Sequence, residues 1–259
     1  MGASVVLGGK VGSDFATSRF IWLKRRGLNV DYVQHAKAHT TAFRIDYHDD
    51  ARTMWALSRC PSLTRRELAG LPSSSALHMG PILQEIPHTL ALSLAERDGI
   101  VSLDPQGYMR QILRGGKIRR IKWVDRRVLR KLDVLKLSEQ EACNVVGRNY
   151  MSARKLANLG PEIVLITKGA LGTVVWSKSL GMFNMPAFKT KIQDPTGAGD
   201  ALVGALLVTW VKDGDLLWST AVGSAVASFV VEKIGPANFG APQEIRKRAS
   251  IVYDKSVRK

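Results

Sequence analysis

The sequence is poor in cysteine, with Cys60 and Cys143 its only two in 259 residues. Two thiols cannot build a disulfide framework, so a reducing compartment, the cytoplasm, is the expectation. Proline is sparse at 10 residues, and the 23 glycines follow no period, which excludes collagen-like and low-complexity chains. Long apolar runs are lacking too. The longest, 201–211 and 220–231, are broken by Gly, Thr or Ser and fall short of the ~20 residues of a membrane span, so no membrane partner is expected. The opening MGASVVLGGK has no basic segment ahead of an apolar one and does not read as a signal peptide. Acid is scarce as well: 22 Asp and Glu face 38 Lys and Arg, a net charge of +16. That imbalance attracts anions at long range and says nothing about fold. What is present is ordinary for a globular chain, 45% hydrophobic and 23% charged, and excludes disorder throughout.

Much of the excess charge lies between Arg110 and Lys131, where ten basic residues are opposed by Asp125 alone. A solvated face, or a contact to an acidic partner subunit, explains such a run more often than nucleic acid does. No RNA- or DNA-reading motif accompanies it, so no nucleic-acid partner is expected. Ile121 and Trp123 inside the run predict that it packs on something.

Residues 4–7 read as a short strand and Gly8 to Gly12 as a turn. Asp14 is placed to cap a helix reaching about Arg26, closed by Gly27 in the left-handed region. Phe43, Ile45 and Tyr47 alternate with Arg44, Asp46 and His48, the pattern of a half-buried strand; 48–50 reads as a turn and 53–57 as the returning strand. From Ser75, strand and helix alternate. Strands are predicted at 76–79, 100–103, 134–137, 163–166 and 174–176. One helix is predicted over 86–97, ended by Gly99. Another opens at Ser138, with Glu141 completing a capping box. Apolar strands separated by helices predict an α/β fold with a parallel sheet covered on both faces. No linker or repeat divides the chain, so a single domain over residues 1–259 is expected, with a small β lid at about 37–58. Ligands bind beyond the carboxyl ends of such strands, which makes Asp104, Ser138, Glu141, Thr167 and Lys168 candidates by topology.

The stretch from Ile192 to Leu206 carries the chemistry. A polar, glycine-rich turn runs into a helix apolar on every side, hence expected to be buried. The N–H groups of Gly197, Ala198 and Gly199 at its start, with the helix dipole, make an anion site. Asp200 sits in the first turn. A carboxylate beside a phosphate-sized anion site is what transfer of a phosphoryl group to a hydroxyl needs: one group takes the proton, the other bears the developing charge. The bland alternative is a capped helix with Asp200 complementing the dipole. The commoner nucleotide signatures are absent: there is no G-x-x-x-x-G-K-[ST], and Leu202 stands where G-x-G-x-x-G needs its last glycine.

Asp-Pro-Thr-Gly-Ala-Gly-Asp-Ala-Leu-Val-Gly-Ala-Leu-Leu, residues 194–207, closely resembles the second signature of the PfkB (ribokinase-like) carbohydrate kinases. Three further segments resemble that family in the same order: Gly9 to Asp14 its G-x-V-G-x-D turn, Val134 to Ala142 its N-x-x-E element, and Leu165 to Gly172 its T-x-G-x-x-G nucleotide loop. The alternating strand near 41–47 matches its β lid. The resemblance implies a ribokinase-like fold, a mostly parallel sheet flanked by helices, and transfer of the ATP γ-phosphate to an alcohol with Mg²⁺. Asp200 would be the base, with Gly197, Ala198 and Gly199 as the anion hole. Thr167, Lys168, Gly169, Gly172 and Ser138 would hold the nucleotide. Ala225, Ser228 and Gly235 would flank adenine, and Glu141 would organise Mg²⁺ through water. Asp194 and Thr196 lie in a loop that binds a monovalent cation such as K⁺ in some members. Two departures stand out. Ser138 replaces the Asn of N-x-x-E, and a hydroxyl still bonds a phosphate or a water. The family also places a strand with a substrate-binding Asp and a G-G-x-x-x-N helix ahead of the turn matching Gly9 to Asp14, and neither precedes it here. A start upstream of Met1, a neighbouring subunit filling the gap, or a relative that binds nucleotide without catalysis are the three readings left open.

Asp104 to Arg110 resembles a D-x-Q-G-[FY]-x-R element of archaeal inositol-kinase-like members. On that reading Asp104 or Gln106 touches substrate hydroxyls; on the other it is a turn requiring Gly107. Lys10 and Gly12 are further candidates for substrate contact. The lone His78 reads as structural, and His35, His39, His48 and His88 share no metal spacing. The expected substrate is a sugar, nucleoside or cyclitol. An open lid edge favours a homodimer through the lid.

Overall fold

A computed structural model describes residues 2–48, 51–147 and 151–258. Its strands are β1 (Val5–Gly12), β2 (Leu28–Ala36), β3 (Ala42–His48), β4 (Ala51–Ser58), β5 (Ala76–Met79), β6 (Ile100–Leu103), β7 (Arg110–Ile112), β8 (Ile118–Arg120), β9 (Val134–Ser138), β10 (Ile163–Thr167), β11 (Thr173–Ser177), β12 (Gly181–Met185) and β13 (Val257–Arg258). Its helices are α1 (Thr17–Lys24), α2 (His88–Leu94), α3 (Arg126–Leu129), α4 (Glu139–Val146), α5 (Ser152–Ala157), α6 (Ala198–Asp213), α7 (Leu216–Val230) and α8 (Pro242–Asp254).

Seven strands form the main sheet in the order β13-β12-β11-β10-β9-β6-β5. β5, β6, β9 and β10 run parallel, with Leu103 opposite Leu135 and Ser138 opposite Thr167. Their carboxyl ends therefore lie along one edge. β11, β12 and β13 extend the sheet antiparallel, so the predicted strand at 174–176 belongs to a meander rather than to the parallel set. Gly172, between β10 and β11, has φ +92° and no room for a Cβ, which would lie 2.2 Å from the Met185 carbonyl oxygen.

Alternation along the strands sorts the core into two layers. Leu135, Leu137, Val164 and Ile166 face one cluster, completed by α2, α3, α4 and α5. Val134, Ile163 and Leu165 face the other, completed by α6, α7 and α8. The register places Lys136, two residues from Val134, on the α6 side. α7 is the most enclosed helix, and Gly223 lets it approach α6 so closely that a Cβ there would lie 2.6 Å from the Leu202 carbonyl oxygen. α6 is buried on one side only. Leu202, Val203 and Leu206 are enclosed, whereas Val211 is 42% exposed and Asp200 faces solvent. Overall apolarity misled the sequence reading, because small residues such as Gly204 tolerate an open face.

Residues 5–58 form two further two-stranded sheets, β1 with β2 in parallel and β3 with β4 antiparallel. The predicted turn Gly8–Gly12 is strand, paired with Tyr32 to Ala36. Gly12 is required there because a Cβ would meet the backbone of 38–40 at 2.2–2.4 Å. Asp14 does not cap α1, whose N-cap is Ala16 without a side-chain bond. Its carboxylate instead accepts the Thr40 N–H and hydroxyl, both at 2.7 Å. Of the turn predicted at 48–50, His48 is the last residue of β3 and 49–50 lie outside the described residues. In the basic segment, β7 and β8 form a hairpin, and Trp123 is 8% exposed, stacked 5.0 Å from Tyr108. The expectation that this segment packs is met.

Candidate active site

The start of α6 lies against the side chain of Lys136 in β9, which pairs in parallel with β10. β9 ends in Ser138, which caps α4: its Oγ accepts the Glu141 N–H at 3.3 Å, and Glu141 Oε2 accepts the Ser138 N–H at 2.8 Å. This capping box fixes Glu141, 6% exposed, over the end of the sheet. β10 ends in Thr167, whose hydroxyl lies 3.4 Å from the Leu137 carbonyl oxygen. The following turn carries Lys168, paired with Glu139 at 3.4 Å, and glycines 169 and 172, both at positive φ.

The 193–197 loop delivers α6. Gly197 caps the helix with φ +82°, a conformation cheap only for glycine. The Ala198 N–H bends back 3.3 Å to the Pro195 carbonyl oxygen, so one of the three predicted donors is engaged in a turn. Asp200 lies in the first helical turn, its carboxylate exposed. The loop is clasped to the end of α7. Gln193 and Asp194 N–H groups donate to the Val231 carbonyl, and Asp194 Oδ2 accepts the Gly235 N–H. Bonds from the Thr196 hydroxyl and N–H hold the Asp194 carboxyl below the usual carboxylate range. Ala225 and Ser228 are buried, 0% and 6% exposed. The Ser228 hydroxyl accepts from Arg248, whose guanidinium lies 3.5 Å over the Phe229 ring.

Beneath the start of α6 lies a group that the sequence reading missed. Lys136 Nζ donates to Asp104 Oδ2 at 2.6 Å, with both side chains buried. Asp104 Oδ1 accepts the Gln106 N–H at 3.2 Å. Asp104, 1% exposed, thus lies under the site rather than open to a substrate. Burial alone would depress the Lys136 ammonium; Asp104 more than offsets it and holds the pKa above its ordinary value, with Glu141 and Asp200 adding to the effect. The signal was in the sequence. A lysine inside a buried parallel strand needs a carboxylate partner.

Gln106 and Glu141 share a cavity of about 230 Å³ with Thr53 of β4 and with Arg110, Lys117 and Arg120 of the β7–β8 hairpin. Lys10 is committed elsewhere, donating to the Ser62 carbonyl at 2.8 Å and pairing with Glu67 at 2.7 Å. Gly12 donates its N–H to the Thr40 hydroxyl. Both lie in β1, engaged within residues 10–67. Among the described residues, no helix is long and apolar enough to cross a membrane.

An exposed carboxylate thus stands in the first turn of a glycine-capped helix packed on an α/β sheet. The pfkB family of carbohydrate kinases matches residues 115–244, and the chain belongs to that family. It is a kinase acting on an alcohol acceptor. A cytidine kinase of Thermococcus kodakarensis is 26% identical over 243 residues, 90% of this chain and 84% of that protein. A nucleoside kinase of Methanocaldococcus jannaschii is 40% identical over 75 residues, 29% of this chain and 24% of that protein. A pyrophosphate-dependent kinase of the ribokinase family, solved with sulfate, is 25% identical with a TM-score of 0.83, covering 95% of this chain and 86% of its own. The fold is ribokinase-like.

Proposed function

We propose that the chain transfers a phosphoryl group from ATP to a hydroxyl of a sugar, nucleoside or cyclitol, with Asp200 as general base. The observation that carries this reading is the placement of an exposed Asp200 in the first turn of α6, directly after the Gly197 cap. The acceptor oxygen bonds to the γ-phosphorus as the bond to ADP breaks, and Asp200 takes the hydroxyl proton. An ordinary carboxylate suffices, because the transition state is loose and the proton leaves late. The N–H groups of Gly197 and Gly199 and the positive end of α6 face the charge gathering on the phosphoryl oxygens.

Mg²⁺ would fit as an ion held by phosphates and water rather than by a protein cage. Among the described residues no three His, Cys, Asp or Glu side chains group to hold a metal, and Glu141 offers one fixed carboxylate. When bound, the ion neutralises phosphate charge. A monovalent cation such as K⁺ would sit against the carbonyls of the loop carrying Asp194 and Thr196. Thr167, Lys168, Gly169 and Gly172 hold the donor phosphates. Exposed Leu171 (79%) and Ile234 (72%), next to Gly172 and Gly235, offer an apolar bed to a base. The strands of residues 5–58 form the cover over the acceptor, and Gln106 contacts it from below.

A second reading has pyrophosphate as donor. It is favoured by burial of Ala225 and by engagement of the Ser228 hydroxyl with Arg248, which leaves those two residues little edge to present to adenine. One experiment separates the readings. Phosphoryl transfer is measured with ATP or pyrophosphate against a panel of sugars, nucleosides and inositols, beside Asp200→Asn. The reading expects turnover of one acceptor with ATP, lowered by about 10²–10⁴ in the variant. Turnover that survives Asp200→Asn sinks the base assignment, and turnover with pyrophosphate alone replaces the donor.

A further inference from the structure

We propose that Lys136 is a positioning residue for phosphoryl transfer: its ammonium, anchored by Asp104, supplies a fixed positive charge beneath the Gly197–Gly199 turn. The inference rests on the assignment of that turn as the anion hole.

Four observations carry it. The β9 register turns Lys136 toward α6 instead of the opposite core layer. The ammonium reaches the underside of the turn: a Cβ built on Gly199 would lie 2.7 Å from Lys136 Nζ and 3.1 Å from its Cε. It is held there rather than roaming, with Asp104 Oδ2 at 2.6 Å and side-chain exposures of 9% and 1% for the pair. Finally, Lys136 is within electrostatic reach of both Glu141 and Asp200, the residues assigned to the metal and the base.

The placement runs against what structure alone would favour. A buried ion pair is commonly replaceable by apolar residues at no loss of stability. In a low-dielectric pocket, a preformed charge acts on developing negative charge without reorganising at the moment of reaction. The two glycines of the hole then serve different ends. Gly197 supplies a positive φ, whereas Gly199 is helical and supplies the space that Lys136 fills.

The test is the double variant Asp104→Leu with Lys136→Met, which removes both charges and strands neither. Its folding is followed by thermal melting, its anion site by calorimetric titration with inorganic pyrophosphate, and its chemistry by kcat and KM. The expected result is a Tm close to the parent's, pyrophosphate binding weakened by at least about 10-fold, and kcat lowered by about 10²-fold with acceptor KM little changed. A double variant that binds and turns over like the parent overturns the proposal, and so does a parent chain that does not bind pyrophosphate. If the double variant does not fold, Gly199→Ala displaces the ammonium while keeping both charges; unaltered kcat and pyrophosphate affinity there overturn the proposal equally. The pyrophosphate titration needs no acceptor and no base. A kinase reading that fails through Asp200→Asn is thereby distinguishable from a failure at Lys136.

Discussion

Residues 5–58 and residues 134–252 are both built around strands, yet they are held in opposite ways. In the second region Val134, Val164, Leu165, Val203 and Leu206 are all at 0% exposure, clamped between helices. In the first, α1 buries none of its residues, and among the described residues Val30 is the enclosed apolar side chain. Polar bonds do the fastening there: Asp14 to Thr40, the Thr40 hydroxyl to Gly12, and Lys10 to Glu67. The proposed base Asp200, the proposed anion hole and Glu141 all sit on the packed region. Chemistry that needs fixed distances lies on elements that cannot shift, while the segment that would cover an acceptor is the one with few buried contacts, which opens at low free energy.

The sharpest way to break this contrast is by truncation. Leu206→Ala, in the packed region, should cost about 2–5 kcal/mol, whereas Ile21→Ala, at a side chain 47% exposed on α1, should stay within about 0.5 kcal/mol. Equal losses by chemical denaturation would show that both regions share one core. A smaller effect is expected at the basic segment joined to both. Asp125 caps α3, and although burial opposes it, bonds from Arg127 and His88 hold its carboxyl at about 2 against an ordinary 3.8. Its stabilisation is complete above about pH 4 and is lost as pH falls toward 2. Asp125→Asn should remove about 1–2 kcal/mol of acid-sensitive stability and flatten that limb of an acid titration. An unchanged limb would place the acid sensitivity elsewhere. The smallest global effect belongs to Asp14→Ala. It should leave the melting transition in place while speeding hydrogen exchange at the Thr40 amide, which donates to Asp14 at 2.7 Å. A shift of the whole transition would mean that the polar fastening carries the fold.

The same contrast decided what could be read from the residues. β5, β6, β9 and β10 emerge within a residue or so of their predicted bounds, because a short apolar run between helical segments has few other homes. The capping box at Ser138 and Glu141 was equally legible, being local. In the polar region the reading failed. Gly8 to Gly12 looked like a turn, yet lies in β1 because β2 pairs along it in parallel, and β2 itself went unseen. The β7–β8 hairpin hid behind its charge. At the site, Asp200 and Gly197 followed from glycine spacing before a helix, whereas the Asp104–Lys136 pair needed the register of two strands to bring residues 32 apart together. Asp104 was read either as a substrate contact or as part of a turn requiring Gly107; it caps that turn, and strand topology gives the end of the sheet a residue occupies, not the depth at which its side chain sits.

The crowding of Gly199, Lys136 and Asp104 also governs how this sequence can drift. Neutralising Lys136 alone leaves a carboxylate buried without its counter-charge, and neutralising Asp104 alone leaves the ammonium in the same state. Any side chain at 199 pushes into the amine. Each one-step change disturbs a contact of the other two residues. Replacing all three requires a coordinated exchange across segments far apart in the chain.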